Sequence, residues 1–255
     1  MTLALAVQDV SLSFKGIRAL AKLSFDVKQS EICALIGPNG AGKSSLLNVI
    51  NGVYRADAGR IVVAGTPFNR PTPAGAARLG IGRTFQNNAL FRRMSVLDNV
   101  LTGLTRLGRA SFPEVAFRLG RYPAEHRAFR ERAEDIIAFL EIEAHRDTIV
   151  GRLPYGLQKR VELARALVAT PRILLLDEPM AGMNSDEKVE LSQFIHDINR
   201  ELGTTIVLIE HDVGVVMGLS HHVVALDYGR KVGDGTPSEV RRNPEVIAAY
   251  LGTKH

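Results

Sequence analysis

Residues Gly37 to Ser44 read GPNGAGKS, a full match to G-x-x-x-x-G-K-[ST]. Such a loop turns successive backbone N–H groups toward phosphate oxygens, and its glycines keep side chains out of the approach. Lys43 is spaced to reach β- and γ-phosphates, and the Ser44 hydroxyl to ligate Mg²⁺. A second group lies in ILLLDEP, where Asp177 ends a run of four apolar residues, Ile173 to Leu176. An aspartate there can hold the cation, through water. Glu178 follows, placed to polarise a water for attack on a γ-phosphate. An acidic pair at a strand end says little alone; with the phosphate loop it points to nucleotide hydrolysis.

Two further polar residues stand at junctions. His211 in IVLIEHD lies just past an apolar strand, at the end where ligands bind in open α/β sheets. Gln86 in GIGRTFQN reads either as a loop-capping amide or as a metal or water contact linking the phosphate site to the residues beyond. The other histidines, including the pair His221–His222, lack Cys or carboxylate partners at metal-ligand spacing and read as structural or exposed.

The elements that must position these residues follow from periodicity. The first ~30 residues alternate in short pieces, LALAVQDVSLSF and AKLSFDV, as strands of an antiparallel sheet do. EICALIG is an apolar strand running into the loop, and Leu46, Leu47, Val49 and Ile50 mark a helix after it. A strand pair is expected around GRIVVAGTPF. From Asn88 to Arg152 strand patterns give way to helical ones, with Phe129, Ala133, Ile136, Ile137 and Leu140 on one face. A helix starting near LPYGLQKRVELARAL follows, with a buried stripe of Leu157, Val161, Ala164 and Val168. RILLLDEP, a helix bearing Leu191, Phe194, Ile195, Ile198 and Leu202, and TTIVLIEHD then alternate strand, helix, strand, as in a mainly parallel sheet. The expected division is an α/β core at 1–87 and 153–235, a helical subdomain at 88–152 and a helical tail at 236–255.

The 255 residues suffice for one large domain, or a core with a subdomain. Cys33 is the single cysteine, so no internal disulfide forms; in EICALIG it reads as a small core residue. A net charge of +5 is mild for a nucleic-acid binder of this length, and no nucleic-acid partner is expected. Arginines between Arg106 and Arg132 read as a solvated helical surface, or as a face toward anionic lipid or an acidic partner. No apolar run reaches the ~20 residues of a membrane span. The N-terminus lacks the pattern of a signal peptide, so a cytosolic chain is expected. A guanine-reading N-K-x-D is absent, which argues against a GTPase.

In this order the motifs resemble those of ATP-binding subunits of ABC transporters, over nearly the whole chain. The resemblance implies a P-loop NTPase core with an N-terminal antiparallel β region and an inserted helical subdomain. Gly37, Pro38, Asn39, Gly40, Ala41, Gly42, Lys43 and Ser44, with Ser45, would bind ATP as Walker A. Phe14 would stack on adenine. Gln86 would stand in the Q-loop as a metal and catalytic contact, and Asp177 and Glu178 in Walker B. His211 would be the switch histidine. Leu153 to Gln158 would form the signature, with Tyr155 and Gly156 meeting nucleotide across a head-to-tail dimer.

GIGRTFQN, EPMAGMN, LIEHDVGVVMGLS, LDYGRKVGDGTP and NPEVIAAYLG are similar, more narrowly, to branched-chain amino acid importer ATPases. That implies ATP and Mg²⁺ and a second ATPase subunit, in a hetero- or homodimer. It also implies two membrane permeases, a periplasmic binding protein acting indirectly, and a place on the cytoplasmic face of the inner membrane. Related cassettes serve urea, amides, aromatic acids or lipid export, and soluble ABC ATPases of nucleic-acid metabolism are a further alternative. Two departures stand out: Asn184 at the usual D-loop aspartate, and Pro154, with Tyr155 and Leu157, against L-S-G-G-Q. Losing the signature serine removes one hydroxyl-to-phosphate bond, ~1.5–3 kcal/mol for a charged acceptor. In a heterodimer whose partner keeps that serine, the two ATP sites would then be unequal, the stronger one built on Lys43 and Glu178.

Overall fold

The computed structural model describes residues 2–69, 71–84 and 90–251. Two compact units emerge, one formed by residues 1–86 with 172–255, the other by 87–171.

The first unit carries two sheets. Strands β1 (Leu3–Phe14), β2 (Ile17–Lys28), β4 (Ala58–Val63) and β5 (Thr66–Pro67) form an antiparallel sheet ordered β2-β1-β4-β5. The alternation of the N-terminal segments is its physical origin: Leu5, Val7, Val10 and Leu12 of β1 are buried, with Leu20, Leu23, Phe25 and Val27 of β2. The second sheet contains β3 (Ile32–Ile36), β6 (Ile81–Arg83), β7 (Ile173–Asp177), β8 (Thr205–Ile209), β9 (His222–Asp227) and β10 (Arg230–Gly235). Its order is β10-β9-β3-β8-β7-β6, parallel except for the β9–β10 hairpin. Strands β3, β7 and β8 are buried throughout, which explains their unbroken apolar runs. Cys33 is one of these core residues, and burial pushes its thiol pKa well up, which leaves it inert.

Helix α1 (Lys43–Ile50) follows β3 and buries Leu46, Leu47, Val49 and Ile50. Helix α2 (Pro73–Arg78) precedes β6. Helix α7 (Ser185–Leu202) joins β7 to β8 and buries Leu191, Phe194, Ile195 and Ile198. Leu202, expected on that stripe, is instead 47% exposed, because the helix ends there at Gly203 in the left-handed conformation. Asn184 caps α7 in a reciprocal box with Glu187, at 3.0 Å in each direction. Asparagine caps as well as aspartate, so the departure at this position leaves the helix start intact. Helices α8 (Val213–Leu219), α9 (Pro237–Arg242) and α10 (Pro244–Leu251) complete the unit.

The second unit is helical: α3 (Val96–Thr102), α4 (Phe112–Phe117), α5 (Tyr122–Phe139) and α6 (Tyr155–Leu167), with short 3₁₀ turns between. Ala133, Ile136, Ile137 and Leu140 of the α5 face are buried and Phe129 is half-buried. Helix α6 belongs here, not with the α/β core, because it packs on α3 and α5. The division therefore runs to Pro171, past the expected boundary at Arg152. On α6, Val161, Ala164 and Val168 are buried as the periodicity predicts, but Leu157 is only half-buried. Buried positions go instead to Gln158 and to a Lys159–Glu162 ion pair at 3.3 Å. The arginine-rich stretch is largely exposed, as are Phe112, Phe117 and Leu119 beside it.

Candidate active site

The phosphate loop emerges from β3, which lies between β9 and β8. This is where the connections of the parallel sheet diverge, the position at which open α/β sheets bind ligands. The loop is shaped by close backbone packing. Gly37 has φ +143°, and a Cβ there would meet the Leu226 carbonyl oxygen at 2.1 Å. Gly42 has φ +100°, and its Cβ would lie 2.6 Å from the Ala19 carbonyl oxygen of β2. Both positions admit only glycine. Gly42 is also the N-cap of α1, with no side-chain cap and no acidic residue in the first turn. That helix start offers its N–H groups and dipole to an anion.

Lys43 is buried and donates to the Gly37 and Pro38 carbonyls at 2.6 and 2.9 Å. Burial lowers its pKa, while the nearby Glu178 and Asp177 pull the other way. Asp177, at the end of β7, is 4% exposed. Its Oδ2 accepts from Arg83 Nη2 at 3.0 Å, and Arg83 Nη1 donates to Asn48 Oδ1 at 2.6 Å. Its Oδ1 is buried with no hydrogen-bond partner. Burial raises the Asp177 pKa, although Arg83 opposes the shift. A carboxylate oxygen left open in this way fits a hard cation, which would offset the burial. Mg²⁺ would need few protein oxygens there, since it keeps waters and takes phosphate oxygens as its other ligands.

Glu178 follows in the left-handed region at φ 50°, a conformation that costs a non-glycine residue about 1–3 kcal/mol. The turn carries its carboxylate to His211, with Nε2 and Oε1 2.5 Å apart. His211 is fixed from both sides. Glu210, buried, accepts from Met180 N at 3.0 Å and from His211 N at 3.3 Å, and its pKa is raised by burial. Asp212 caps α8 and pairs with Lys188 at 2.8 Å. Phe14 ends β1, is 42% exposed, and meets Tyr54 edge-on at 5.1 Å. Gln86 lies outside the described residues.

Tyr155 and Gly156 lie in the helical unit, at the start of α6. Pro154 is the N-cap there, one position before the first turn, and supplies no side-chain acceptor. Gln158 Nε2 donates to the Leu153 carbonyl at 2.8 Å and so ties the preceding loop.

Sequence reasoning missed Arg83, Asn48, Glu210 and Tyr54. GIGRTFQN does contain Arg83, but nothing local says that its guanidinium meets Asp177, 94 residues on. Glu210 adjoins His211, and an acid ending an apolar strand was the only signal it offered.

Comparison with known proteins agrees with this geometry. Residues 20–181 match the family model described as ABC transporter. Residues 230–255 match one described as branched-chain amino acid ATP-binding cassette transporter. The high-affinity branched-chain amino acid transport ATP-binding protein LivG of Salmonella typhimurium is 38% identical over 97% of each chain. The corresponding protein BraF of Pseudomonas aeruginosa is 37% identical over the same shares. A solved ATP-binding cassette of an ABC transporter, in its ADP conformation, superposes with a TM-score of 0.86 at 29% identity, covering 99% of this chain and all of that one (100%). A dimeric bacterial ABC transporter cassette is 25% identical, with a TM-score of 0.77 over 91% of this chain and 98% of its own. With its phosphate loop, its acidic strand end and these matches along its length, the chain belongs to the ABC transporter family, as an ATP-hydrolysing cassette.

Proposed function

We propose that this cassette powers uptake of branched-chain or chemically related amino acids. The carrying observation for the chemistry is the Glu178–His211 contact of 2.5 Å, close to Lys43 and Asp177. Glu178 takes the proton of the attacking water, and His211 orients its carboxylate. Lys43 exchanges its loop carbonyl partners for phosphate oxygens and neutralises charge on them. Asp177, held by Arg83, and Ser44 would hold Mg²⁺, which would neutralise phosphate charge when bound. Phe14 supplies an aromatic face for adenine, braced by Tyr54.

The amino-acid assignment is supported by the similarity to LivG and BraF, branched-chain amino acid transport ATP-binding proteins, and by the carboxy-terminal family match. The partners that follow are a second cassette, two membrane permeases and, indirectly, a periplasmic solute-binding protein. In the dimer each phosphate loop faces the α6 start of the other cassette, and the assembly sits on the cytoplasmic face of the membrane. No helix among the described residues is long and apolar enough to cross a membrane, so attachment would come through the permeases. The test is reconstitution with the candidate permeases and binding protein in proteoliposomes. ATP-dependent accumulation of labelled leucine, isoleucine or valine is expected. Accumulation of none of them, with ATP hydrolysis intact, would overturn the assignment of solute.

A further inference from the structure

The carboxy-terminal helix α10 reaches the phosphate loop. Tyr250 Oη accepts from the Gly37 backbone N–H at 2.8 Å, across 213 residues of sequence. Gly37 is the loop's first glycine, and its carbonyl is also the acceptor nearest to Lys43 Nζ, at 2.6 Å. One peptide segment is thus gripped on its N–H side by the tail and on its carbonyl side by the lysine that reads phosphate.

The grip is part of a wider support. The β9–β10 turn donates from Gly229 N to the Ala41 carbonyl of the loop at 3.0 Å. Leu226, next to last in β9, packs its carbonyl against Gly37. Helix α10 is seated on this hairpin. Val246 is buried, and its Cγ2 lies 2.6 Å from where a Cβ on Gly233 of β10 would be. Asn243, just before α10, donates from its side chain to the Val232 carbonyl at 3.2 Å. The hairpin and the helix docked on it therefore approach the loop together, and Tyr250 is the helix's hydrogen-bonding contact with it.

We infer that Tyr250 is a positioning residue for nucleotide: its hydroxyl fixes the Gly37 peptide, so the binding shape of the phosphate loop depends on a docked carboxy-terminal helix. The inference rests on the loop being the ATP site. A backbone N–H in a tight glycine loop has many alternative orientations, and a fixed acceptor removes them before the ligand arrives. Residues 230–255, matched by a family model of their own, would then act on ATP affinity without touching ATP.

The experiment compares the full-length chain with Tyr250→Phe, which keeps the ring and removes only the hydroxyl. ATP affinity in the presence of Mg²⁺ should fall roughly 3- to 10-fold by calorimetry, the scale of one net hydrogen bond. In the assembled transporter KM for ATP should rise by the same factor, with kcat at saturating ATP unchanged. Amide exchange at Gly37 should quicken while exchange along β3 stays as in the wild type. Wild-type or tighter ATP affinity overturns the inference. So does a lower melting temperature with ATP affinity unchanged, which would make Tyr250 a packing residue. A Lys43→Ala control separates the two readings: if that variant still binds ATP at full affinity, the assignment of the loop itself falls.

Discussion

Lys43 shows how a single residue can be legible in type and yet depend on its surroundings for its state. Its spacing in GPNGAGKS marks it as the phosphate lysine. The structure adds that it rests on the carbonyls of Gly37 and Pro38, partly desolvated and drawn toward Asp177 and Glu178. Phosphate would exchange two neutral acceptors for charged ones, so most of the gain is electrostatic. Lys43→Ala should weaken ATP binding at least ~30-fold, the low end for removing one partner of a buried charge pair. Calorimetry on the purified chain checks this, and undiminished affinity would contradict it. Asp177 was readable in the same way, from its place after four apolar residues. Arg83 was not, because it acts through hydrogen bonds to Asn48 and Asp177, groups on other elements.

Elements carry the next set of consequences. Helix α6 begins at a proline whose φ of −53° and ψ of 154° suit an N-cap but whose side chain accepts nothing. A serine there would accept an N–H of the first turn, typically worth ~0.5–2 kcal/mol. Pro154→Ser should therefore raise the melting temperature by roughly 1–8 °C for a chain of this size. It should also raise the ATPase rate of the assembled transporter, since a hydroxyl is restored where the partner's nucleotide is expected. If neither changes, the signature of this chain carries no handicap.

The β9–β10 hairpin carries a titrating contact. His222 Nε2 pairs with Asp234 at 2.6 Å, and its Nδ1 lies 3.6 Å from Glu31. Sequence spacing showed it no carboxylate partner; Asp234 comes from β10 and Glu31 from the residue just before β3. The Asp234 bond raises the His222 pKa, against burial, and Glu31 adds to it, while Lys28 opposes. Protonated His222 thus favours the folded state. Its contribution is complete below the unfolded value near ~6.5 and is lost as pH rises through the higher folded value. Asp234 is depressed: burial pushes it up, but bonds from His222 and Lys231 outweigh this, so its contribution is lost as acid titrates it. The melting temperature should fall as pH rises above about 6.5, and His222→Gln should flatten that slope. Thermal melts across pH 5.5–9 decide this, with a parallel fall in both proteins as the contrary result.

At the scale of the whole molecule the division of labour between units matters. The α/β unit holds Lys43, Asp177, Glu178 and His211, while Tyr155 and Gly156 sit in the helical unit. If, as proposed, a dimer completes each site from two chains, hydrolysis is the step that releases it. Glu178→Gln should slow hydrolysis by ~10²-fold or more while sparing ATP binding. With MgATP the variant should accumulate as a dimer by light scattering. Turnover equal to wild type in the purified complex would remove Glu178 from the role of base.

By itself the sequence determined the chemistry, the class of fold and most of the buried faces of the helices. It could do so because a phosphate loop, an apolar strand ending in acids and a 3.6-residue stripe are local patterns whose geometry lies within a few residues. The stripe failed at Leu202 and Leu157, where a helix end and a buried polar pair override periodicity. Only the tertiary structure decided that α6 belongs with the helical unit, that Arg83 holds Asp177, that His222 has two acidic neighbours and that Tyr250 touches the phosphate loop. These are contacts between groups far apart in the chain. They are set by which strands lie side by side and which helix docks on which hairpin, and no local pattern records that.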